Sequence, residues 1–408
     1  MSGRIVAVIV SGGLSSRMID FKPLLPLGSA TVLGRAAELL REGGVRDILV
    51  VAGHRANEVQ AEASRLGVRC VVNLDFRRGM FSSVLMGLTG LAALADAVGG
   101  FDGVFVLPVD IPLVKPATVR TIIKNFRGEP VAYPVFRGQR GHPPLIAAQS
   151  LPFVLGWDGT DGLRGALEAL ERSHGAGQVA VADENILFDL DTPWDYREAL
   201  HRAARSDRPT QAETEALLEI QTVGERGLAH ARAVAQAALA MARALNAARI
   251  RADGTLPGPT APLDLALVES AALLHDVAKG RPDHEAEGGR ILDSAGFPDA
   301  ARIVEAHRDL DLPPEAPFTE REVVYLADKF VSGDRLVDIR TRFQEKLDRF
   351  GADPEAAAAI LGRRDRALAV LARLEVESGK SIEVILAETI IPHAGFSGSM
   401  NLRPGGNA

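Results

Sequence analysis

A strand-to-loop junction near the amino terminus constrains the fold of this chain more than any other segment. The apolar run from Ile5 to Val10 predicts a buried strand, and it leads into Ser11-Gly12-Gly13, with Arg17 and Lys22 close behind. Paired glycines let backbone N–H groups turn toward an anion without a Cβ in the way, and the two basic side chains supply positive charge. The junction is therefore a candidate site for the phosphates of a nucleotide.

Residue spacing excludes two better-known phosphate loops at this junction. The dinucleotide fingerprint needs Gly-x-Gly-x-x-Gly and the P-loop needs Gly-Lys followed by Ser or Thr, whereas this loop has adjacent glycines and then Arg17. An ordinary strand-to-helix turn with a solvated arginine stays open on these residues alone, since a glycine pair is first of all a turn signal.

Two aspartates are placed to bind a metal ion beside such a phosphate site. Gly103 to Leu107 is predicted as a buried parallel strand, and Asp110 comes just past its carboxyl end, where open α/β sheets bind ligands. Asp191 follows a second short predicted strand and could complete the protein ligands, since Mg²⁺ usually takes one or two carboxylates. A turn or capping role for Asp191 stays open, because Thr192-Pro193 also fits a helix start.

Five motifs after the opening loop recur in order and resemble the molybdenum cofactor cytidylyltransferases and, more distantly, the guanylyltransferases of the same MobA-like nucleotidyltransferase superfamily. The resemblance runs from about Arg4 to about Leu200. The motifs are Asn73-Leu74-Asp75-Phe76-Arg77-Arg78-Gly79-Met80-Phe81-Ser82-Ser83, Asp110-Ile111-Pro112, Arg140-Gly141-His142-Pro143-Pro144, Asp161-Gly162-Leu163-Arg164 and Asp189-Leu190-Asp191-Thr192-Pro193. The resemblance implies a three-layer α/β domain with a mostly parallel sheet.

The same resemblance implies roles for individual residues. The residues expected around the nucleotide are Gly12, Gly13, Ser15, Ser82 and Ser83, with Arg17 and Lys22 on the phosphates. His142 and Arg164 are expected near the acceptor, and Asp110 with Asp191 is expected to hold Mg²⁺. A terminal phosphate on the acceptor is largely dianionic at neutral pH and can attack the α-phosphorus without a protein base. Arg17, Lys22 and Mg²⁺ would stabilise the charge of the transferring group while pyrophosphate leaves.

Three positions depart from the family pattern and bear on the choice of base. Ser11-Gly12-Gly13 stands where the cytidylyl enzymes tend to have Ala-Ala-Gly and the guanylyl enzymes Ala-Gly-Gly. Ile19 replaces the usual glycine after Arg-Met, and Thr160 replaces a common aspartate. Because the middle of the segment favours the cytidylyl branch, we expect CTP as the substrate, with GTP as the alternative.

The second half of the chain has a different composition. From about Glu213 the sequence is rich in alanine and leucine at helical spacing and has no strand alternation, which predicts an all-α domain. Arg205 to Thr210 is polar with one proline, as expected of a linker. We predict a nucleotidyltransferase domain over residues 1–205, a linker over 206–212, a helical domain over 213–393 with a loop at 250–263, and a mobile tail over 394–408.

Histidines and aspartates of the helical half occur in an order that resembles the HD superfamily of metal-dependent phosphohydrolases. They are His230, His275, Asp276, His284, His307 and Asp328. His275 and Asp276 follow the apolar run Ala271 to Leu274, which predicts that they face inward at the end of a buried helix. Lys279 is expected on the same helix face, where it could reach a substrate phosphate and act with Asp276 in catalysis.

The HD resemblance implies a metal centre. His230, His275, Asp276 and Asp328 would bind a divalent ion, and residue type does not distinguish Mn²⁺, Fe²⁺, Zn²⁺ and Mg²⁺. In the family, added histidines such as His284 and His307 accompany a second ion, with an activated water attacking a phosphate ester between the two. A solvated helix start at His284 stays open as the alternative.

Composition bounds the class of protein. The net charge of −7 and the lack of a basic aromatic patch argue against a nucleic-acid partner. The single cysteine, Cys70, excludes an internal disulfide and falls in an apparent strand, where packing is its expected role. The opening apolar run is too short for a signal peptide and no stretch is long enough to span a bilayer, so we expect a cytoplasmic protein without a membrane partner.

These observations together predict a bifunctional enzyme. We expect nucleotidyl transfer, with CMP leading, to molybdopterin-bound molybdenum cofactor, beside a phosphohydrolase activity of the HD domain. The implied partners are CTP or GTP, the molybdenum cofactor, and molybdoenzyme apoproteins or their chaperones. The alternative is a sugar- or alcohol-phosphate nucleotidyltransferase, since fold does not fix the acceptor, with an HD domain that senses a nucleotide without turnover.

Overall fold

A computed structural model describes residues 3–14, 17–18, 20–98, 100–249, 261–310, 313 and 316–391 of the chain. Ser15, Ile19, residues 250–260 of the predicted loop and the predicted tail lie outside the described residues. The chain forms two compact units. One comprises Met1–Ser206, Glu215–Ile220 and Ser294–Gly296, and the other Asp207–Thr214, Gln221–Asp293 and Phe297–Ala408.

The first unit alternates strands and helices. Its strands are β1 (Ile5–Ser11), β2 (Pro26–Leu27), β3 (Ala30–Thr31), β4 (Asp47–Ala52), β5 (Arg69–Val72), β6 (Gly103–Pro108), β7 (Val131–Phe136), β8 (Gln139–Arg140), β9 (Leu145–Ala147) and β10 (Gly177–Ala180). Its helices are α1 (Val32–Glu42), α2 (Ala56–Arg65), α3 (Met80–Val98), α4 (Pro116–Asn125), α5 (Leu151–Leu155), α6 (Gly162–His174) and α7 (Pro193–Ala203). Short 3-10 turns cover Lys22–Leu24, Phe76–Arg78, Ala148–Ser150 and Glu184–Leu187.

The main sheet has the strand order β10-β7-β9-β6-β1-β4-β5, with β8 paired to β7. β1 runs parallel to both β4 and β6. In the described part of this sheet only β8, next to β7, and β9, between β6 and β7, are antiparallel to their neighbours. The predicted strands at Ile5 to Val10 and Gly103 to Leu107 are both present, and Cys70 lies half-buried in β5 as expected. The prediction of a mostly parallel sheet is confirmed.

Helices cover both faces of the sheet. Every residue of β1 and β6 is buried, which requires a layer on each side of these strands. On one side, Val6, Val8 and Val10 pack with Leu88 of α3, and a Cβ placed on Gly87 would lie 2.5 Å from Val8 Cγ1. Gly87 therefore lets α3 approach the sheet closely. The helices α1, α2 and α4 form a second group that contacts the sheet, which completes the predicted three layers.

Helices dominate the remainder of the chain. They are α8 (Gln211–Ile220), α9 (Glu225–Arg249), α10 (Leu265–Leu274), α11 (His284–Ser294), α12 (Pro298–Glu305), α13 (Glu320–Lys329), α14 (Ile339–Phe350), α15 (Pro354–Ser378) and α16 (Ile382–Leu386). The long helix α9 lies at the centre of the second unit and contacts α10, α13, α15 and α16. Alanines occupy most of its buried positions, and these small side chains let the neighbouring helices pack closely.

A short hairpin interrupts this helical unit. β11 (Val331–Ser332) and β12 (Arg335–Leu336) pair in the antiparallel sense around Gly333, which adopts a φ of +60°. The all-α prediction missed this hairpin, because two-residue strands are too short to show alternation. No described helix is both long enough and apolar enough to cross a membrane. The domain limits at 205, 212 and 393 stay predictions, although residues 204–210 do separate α7 from α8.

Candidate functional sites

Lys22 joins the two predicted metal-binding aspartates at the carboxyl end of the sheet. Its Nζ lies 3.0 Å from Asp191 Oδ1 and 3.4 Å from Asp110 Oδ2, and its side chain is only 9% exposed. Arg17 NH2 lies 2.9 Å from Asp191 Oδ2. Asp110 follows β6, and Lys22 lies in the turn after the neighbouring parallel strand β1. The structure therefore brings Arg17, Lys22, Asp110 and Asp191 together. A metal–triphosphate complex needs such a site, with cations for the phosphates and carboxylates for the metal.

The loop that carries Asp191 is fixed on both sides of this residue. The Leu190 backbone N–H donates to the carbonyl of Asp110 at 2.8 Å. Thr192 is the N-cap of α7 and forms a capping box with Asp195, while Pro193 occupies the first turn. The capping role thus belongs to Thr192, and the Asp191 carboxylate faces Lys22.

A short strand precedes the loop of Asp191, as predicted: it is β10, Gly177–Ala180. Between this strand and Asp191 lies the 3-10 turn Glu184–Leu187, and Asp183 caps it by accepting from the Asn185 backbone N–H. The Asp183 carboxylate is buried and also accepts from the Lys115 backbone N–H at 2.7 Å. These bonds fix the segment that leads from β10 to Asp191.

Asp189 is a third carboxylate of this site that the sequence reasoning did not assign. Burial raises its pKa, and the nearby charges of Asp110 and Asp191 raise it further. Three carboxylates beside Lys22 and Arg17 leave a surplus of one negative charge when all are ionised, which a divalent cation would offset. The carboxylates present therefore fit a Mg²⁺ ion. The sequence signal that could have indicated Asp189 is the spacing of Asp189-Leu190-Asp191, which places two carboxylates in one short loop.

Gly12, at the end of the first strand, lies against Ser83, one of the two predicted serines. A Cβ placed on Gly12 would lie 2.7 Å from Ser83 Oγ, so this position has no room for a side chain unless Ser83 moves. The Asn73 side-chain amide donates to Ser82 Oγ and to Ser83 Oγ, each at 2.9 Å. Asn73 is buried and begins the first of the five motifs after the opening loop, where no role was predicted for it; in the structure it positions the hydroxyls of Ser82 and Ser83. A Cβ on Gly13 would meet no described atom within 4 Å, so this glycine borders open space.

The two predicted acceptor residues differ in their surroundings. His142 is half-buried, and the burial of its ring lowers its pKa although the Asp110 charge acts in the opposite sense. Its Nδ1 is buried without a hydrogen-bond partner among the described residues. Arg164 lies exposed on α6, where its Nε is 3.1 Å from Glu168 of the same helix. The structure thus places His142 within the electrostatic reach of Asp110, and no described ion pair ties Arg164 to that site.

In the second unit the six predicted histidines and aspartates form two groups of three. One group is His230, His275 and Asp328, and the other is Asp276, His284 and His307. The potential ligand atoms within each group all lie within 4.8 Å of one another. Asp276 joins the groups, because its Oδ2 lies 3.5 Å from His275 Nε2 and its Oδ1 lies 3.6 Å from His307 Nε2. The arrangement can hold two ions with one carboxylate between them.

Backbone carbonyls orient three of these imidazoles. The Nδ1 atoms of His230, His275 and His307 lie 2.8, 2.8 and 2.6 Å from the carbonyls of Gly333, Ala272 and Val304. Each ring therefore turns its Nε2 toward the centre, as metal-binding histidines do. His275 Nε2 is buried without a hydrogen-bond partner among the described residues, and burial lowers the pKa of this imidazole. A neutral ring with an unpaired nitrogen is a fitting metal ligand.

The two carboxylates of the centre are held in the ionised form. Burial alone would raise the pKa of Asp328, but Lys329 and Arg342 hold it well below its ordinary value. Burial likewise opposes ionisation of Asp276, and the neighbouring imidazoles of His275 and His307 outweigh it and keep that pKa far below the usual range. The donor set of imidazoles and ionised carboxylates suits a divalent transition metal.

Lys279 and His284 lie beside Asp276, and the local structure of Lys279 differs from the sequence expectation. α10 ends at Leu274, so Lys279 lies in the turn that follows and not on the same helix as predicted. This turn still brings its Nζ onto Asp276 Oδ2. His284 is the first residue of α11, as the alternative expected, and its Nε2 also lies 3.5 Å from Asp276 Oδ1. His284 therefore both begins the helix and belongs to a candidate metal-binding group.

Family comparisons match both halves of the chain. The profile of the MobA-like NTP transferase domain matches residues 7–175, and the profile of the HD domain matches residues 227–333. The first match contains Lys22 and Asp110 but ends before Asp191. The second contains all six histidines and aspartates of the two groups.

Known relatives match the first half. The molybdenum cofactor cytidylyltransferase of Escherichia coli (strain K12) is 28% identical over 196 residues, which are 48% of this chain and 95% of that protein. The nicotine blue oxidoreductase of Paenarthrobacter nicotinovorans is 30% identical over 159 residues, 37% of this chain and 74% of that protein. A probable molybdenum cofactor guanylyltransferase of Pelotomaculum thermopropionicum is 28% identical over 176 residues, 43% of this chain and 72% of that protein. The chain is therefore a nucleotidyltransferase-type enzyme that carries a MobA-like NTP transferase domain over residues 7–175 and an HD domain over residues 227–333.

Proposed function

We propose that the first unit transfers CMP from CTP to the terminal phosphate of molybdopterin in the molybdenum cofactor and releases pyrophosphate. The observation that carries this proposal is the buried Lys22 ammonium between Asp110 and Asp191, at the end of a parallel sheet. The similarity to a molybdenum cofactor cytidylyltransferase supports the acceptor. We further propose that the product passes to molybdoenzyme apoproteins or their chaperones.

The residues of this site have separate tasks in the transfer. An acceptor phosphate oxygen bonds to the α-phosphorus while the bond from that phosphorus to the α–β bridging oxygen breaks, and pyrophosphate keeps the bridging oxygen. Lys22 and Arg17 hold the phosphates and stabilise the charge that spreads over them. Asp110 and Asp191 would hold a Mg²⁺ ion, which would supply further positive charge there. Asn73 fixes Ser82 and Ser83, and the base and ribose bind beside these serines, where Ser83 lies against Gly12.

Gly12 gives a direct test of base selection. The guanylyl pattern also has glycine here, but the structure gives another reason for it, because a Cβ would meet Ser83 Oγ at 2.7 Å. Competition between CTP and GTP at equal concentration is expected to favour CTP. The double variant Gly12→Ala, Ser83→Ala removes the close contact and should keep that preference. A GTP preference in the wild type would mean that the glycine makes room for a purine.

A pyrophosphate-release screen tests the transfer itself. The full chain is incubated with each of the four NTPs, with and without molybdenum cofactor, and release is expected only with the cofactor present. Asp110→Asn should abolish release, whereas Asp102→Asn, at the opposite end of β6, should not. Release supported by sugar or alcohol phosphates in place of the cofactor would favour the alternative acceptor class.

For the second unit we propose metal-dependent hydrolysis of a phosphate ester. The two histidine–aspartate groups joined by Asp276 carry this proposal. Divalent ions bound there would supply Lewis acidity and a water of lowered pKa. His230, His275 and His307 are fixed through their Nδ1 atoms, and Lys279 lies where it can bind a substrate phosphate.

Metal analysis of the full chain, paired with hydrolysis of p-nitrophenyl phosphate, tests this second proposal. The wild type should carry Mn²⁺, Fe²⁺, Zn²⁺ or Mg²⁺, and Asp276→Ala should lose both metal and hydrolysis. Metal-binding without any hydrolysis would favour a nucleotide-sensing domain. Failure to bind any metal on titration would refute the hydrolase proposal.

A further inference from the structure

A basic pocket adjoins the metal centre of the second unit. Its volume is about 790 Å³, and its wall includes Asp276, His284, His307 and Asp328 of the centre. Seven of the lining residues are lysine or arginine, against three aspartates. Two of those aspartates, Asp276 and Asp328, belong to the metal centre, where bound ions would offset their charge. The pocket is therefore suited to a ligand with several negative charges.

Part of this positive charge has a structural partner inside the protein. Lys329 and Arg342 contact Asp328, Lys279 contacts Asp276, and Arg308 NH1 lies 3.0 Å from Glu285 Oε1. These cations balance the carboxylates of the centre and its rim. They can also contact the phosphate that undergoes reaction, because they lie beside the ligand groups.

Two cations farther along the wall have no such assignment. Lys346 of α14 forms no ion pair among the described residues, and its Nζ lies 5.4 Å from the ring centroid of Phe343. Arg363 of α15 lies 3.7 Å from Asp309 Oδ2, but Arg366 already holds that carboxylate through two hydrogen bonds of 2.8 and 2.6 Å. Desolvation and the neighbouring charges of Arg342 and Lys329 lower the pKa of Lys346 to about 8, as expected for an ammonium that lacks an anion. A ligand anion would supply one.

The same wall has an apolar part. Phe343, Phe350 and Ile360 line the pocket, and Phe350 is 53% exposed. A pocket volume near 800 Å³ is in the range of organic ligands, about 300–1,000 Å³, and exceeds what a phosphate group fills. All of these residues on α14 and α15 follow residue 333, where the HD match ends. They are therefore features of this chain beyond the matched segment.

We infer that this pocket takes an organic diphosphate. Its terminal phosphate lies at the metal centre, its inner phosphate contacts Lys346 and Arg363, and its organic group contacts Phe350 and Ile360. The inference rests on the proposed hydrolase function. In the reaction, the oxygen of water bonds to the terminal phosphorus and the anhydride bond to that phosphorus breaks. The bridging oxygen stays with the inner phosphate, one proton is released, and the products are an organic monophosphate and inorganic phosphate.

Three substrates, which differ in their phosphate and organic groups, test the proposed binding of an organic diphosphate. Phosphate release by the Mn²⁺-loaded full chain is measured with p-nitrophenyl phosphate, ADP and inorganic pyrophosphate. Lys346→Met and Arg363→Gln should each raise KM for ADP about tenfold, which is ~1.4 kcal/mol of binding. They should leave kcat for ADP and the hydrolysis of p-nitrophenyl phosphate within about twofold. Phe350→Ala should raise KM for ADP and not for pyrophosphate. Arg364→Gln, next to Arg363 on α15 and paired with Asp365, is the matched control and should change none of these values.

The outcomes distinguish this inference from the proposed function. If the wild type binds metal and hydrolyses p-nitrophenyl phosphate but not ADP, the inference is wrong and the hydrolase proposal stands. Equal losses with ADP and p-nitrophenyl phosphate in the Lys346 and Arg363 variants would also overturn it. Equal effects of Phe350→Ala on ADP and pyrophosphate would overturn the organic part. A wild type that binds no metal and hydrolyses nothing refutes both proposals together.

Discussion

Replacing Lys329 by methionine tests whether the second unit depends on charge balance at its metal centre. Lys329 is buried, its Nζ lies 2.9 Å from Asp328 Oδ2, and it donates to the His307 carbonyl at 2.8 Å. Methionine keeps most of the side-chain length but leaves the buried Asp328 carboxylate without its ammonium. The metal-free protein should therefore lose stability.

The structure sets the size of this effect. Removing one partner of a buried ion pair costs about 3–5 kcal/mol. Arg342 NH2 stays 3.4 Å from Asp328 Oδ1, so the lower end applies. A loss of ~3 kcal/mol in a domain of this size corresponds to a fall of about 6–12 °C in melting temperature. A divalent ion at Asp328 supplies the missing charge, so added metal should reduce the difference between variant and wild type.

Calorimetry of the full chain measures this effect, first in chelator and then with excess Mn²⁺. The transition that responds to metal reports the second unit. Lys380→Met is the matched control, because Lys380 is exposed and its Nζ lies 3.8 Å from Glu388 in a surface pair, so this change should alter the free energy of unfolding by no more than ~0.5 kcal/mol. We expect the two variants to differ in stability. Equal stability, or a Lys329→Met loss that metal leaves unchanged, would show that the charge balance at Asp328 does not matter.

Three further changes have defined outcomes. Asp110→Ala should reduce pyrophosphate release to less than about a tenth, a barrier increase above ~1.4 kcal/mol, with an unchanged circular dichroism spectrum. Burial lowers the pKa of His142 below its value in the unfolded chain, so its contribution to stability is present above pH ~6.5 and is lost as the pH falls. The variant His142→Asn should therefore make the melting temperature of the first unit less sensitive to pH between about 7 and 5.5. His275→Ala should lower the metal content measured by atomic emission, because His275 Nε2 is a buried nitrogen without another partner among the described residues.

The parts of the fold and of the sites that depend on short sequence patterns could be predicted. The short apolar runs of β1 and β6 are typical of buried parallel strands, and Asp110 comes just after one of them. His275 and Asp276 directly follow an apolar helix, so their inward direction could be predicted from the sequence. In both cases the functional residue is adjacent in sequence to the element that positions it.

Residues that act through distant partners could not be predicted in the same way. His230 depends on the carbonyl of Gly333, 103 positions later, in a hairpin too short to recognise. Arg342 reaches Asp328 from another helix, and no spacing rule connects them. The raised pKa of Asp189 comes from burial and then from the charge of Asp110, which a loop contact brings close. These features need the tertiary structure, because the interacting groups are far apart in sequence.

The proposed reaction of the first unit joins CMP to the terminal phosphate of the molybdenum cofactor. Mass spectrometry of the cofactor after incubation with CTP, Mg²⁺ and the full chain measures this transfer. We expect the cofactor to gain one cytidylyl group with release of one pyrophosphate, and the Asp110→Ala variant to form none of this product. An unmodified cofactor, under conditions where the same protein transfers CMP to a sugar or alcohol phosphate, would show that the cofactor is not the acceptor.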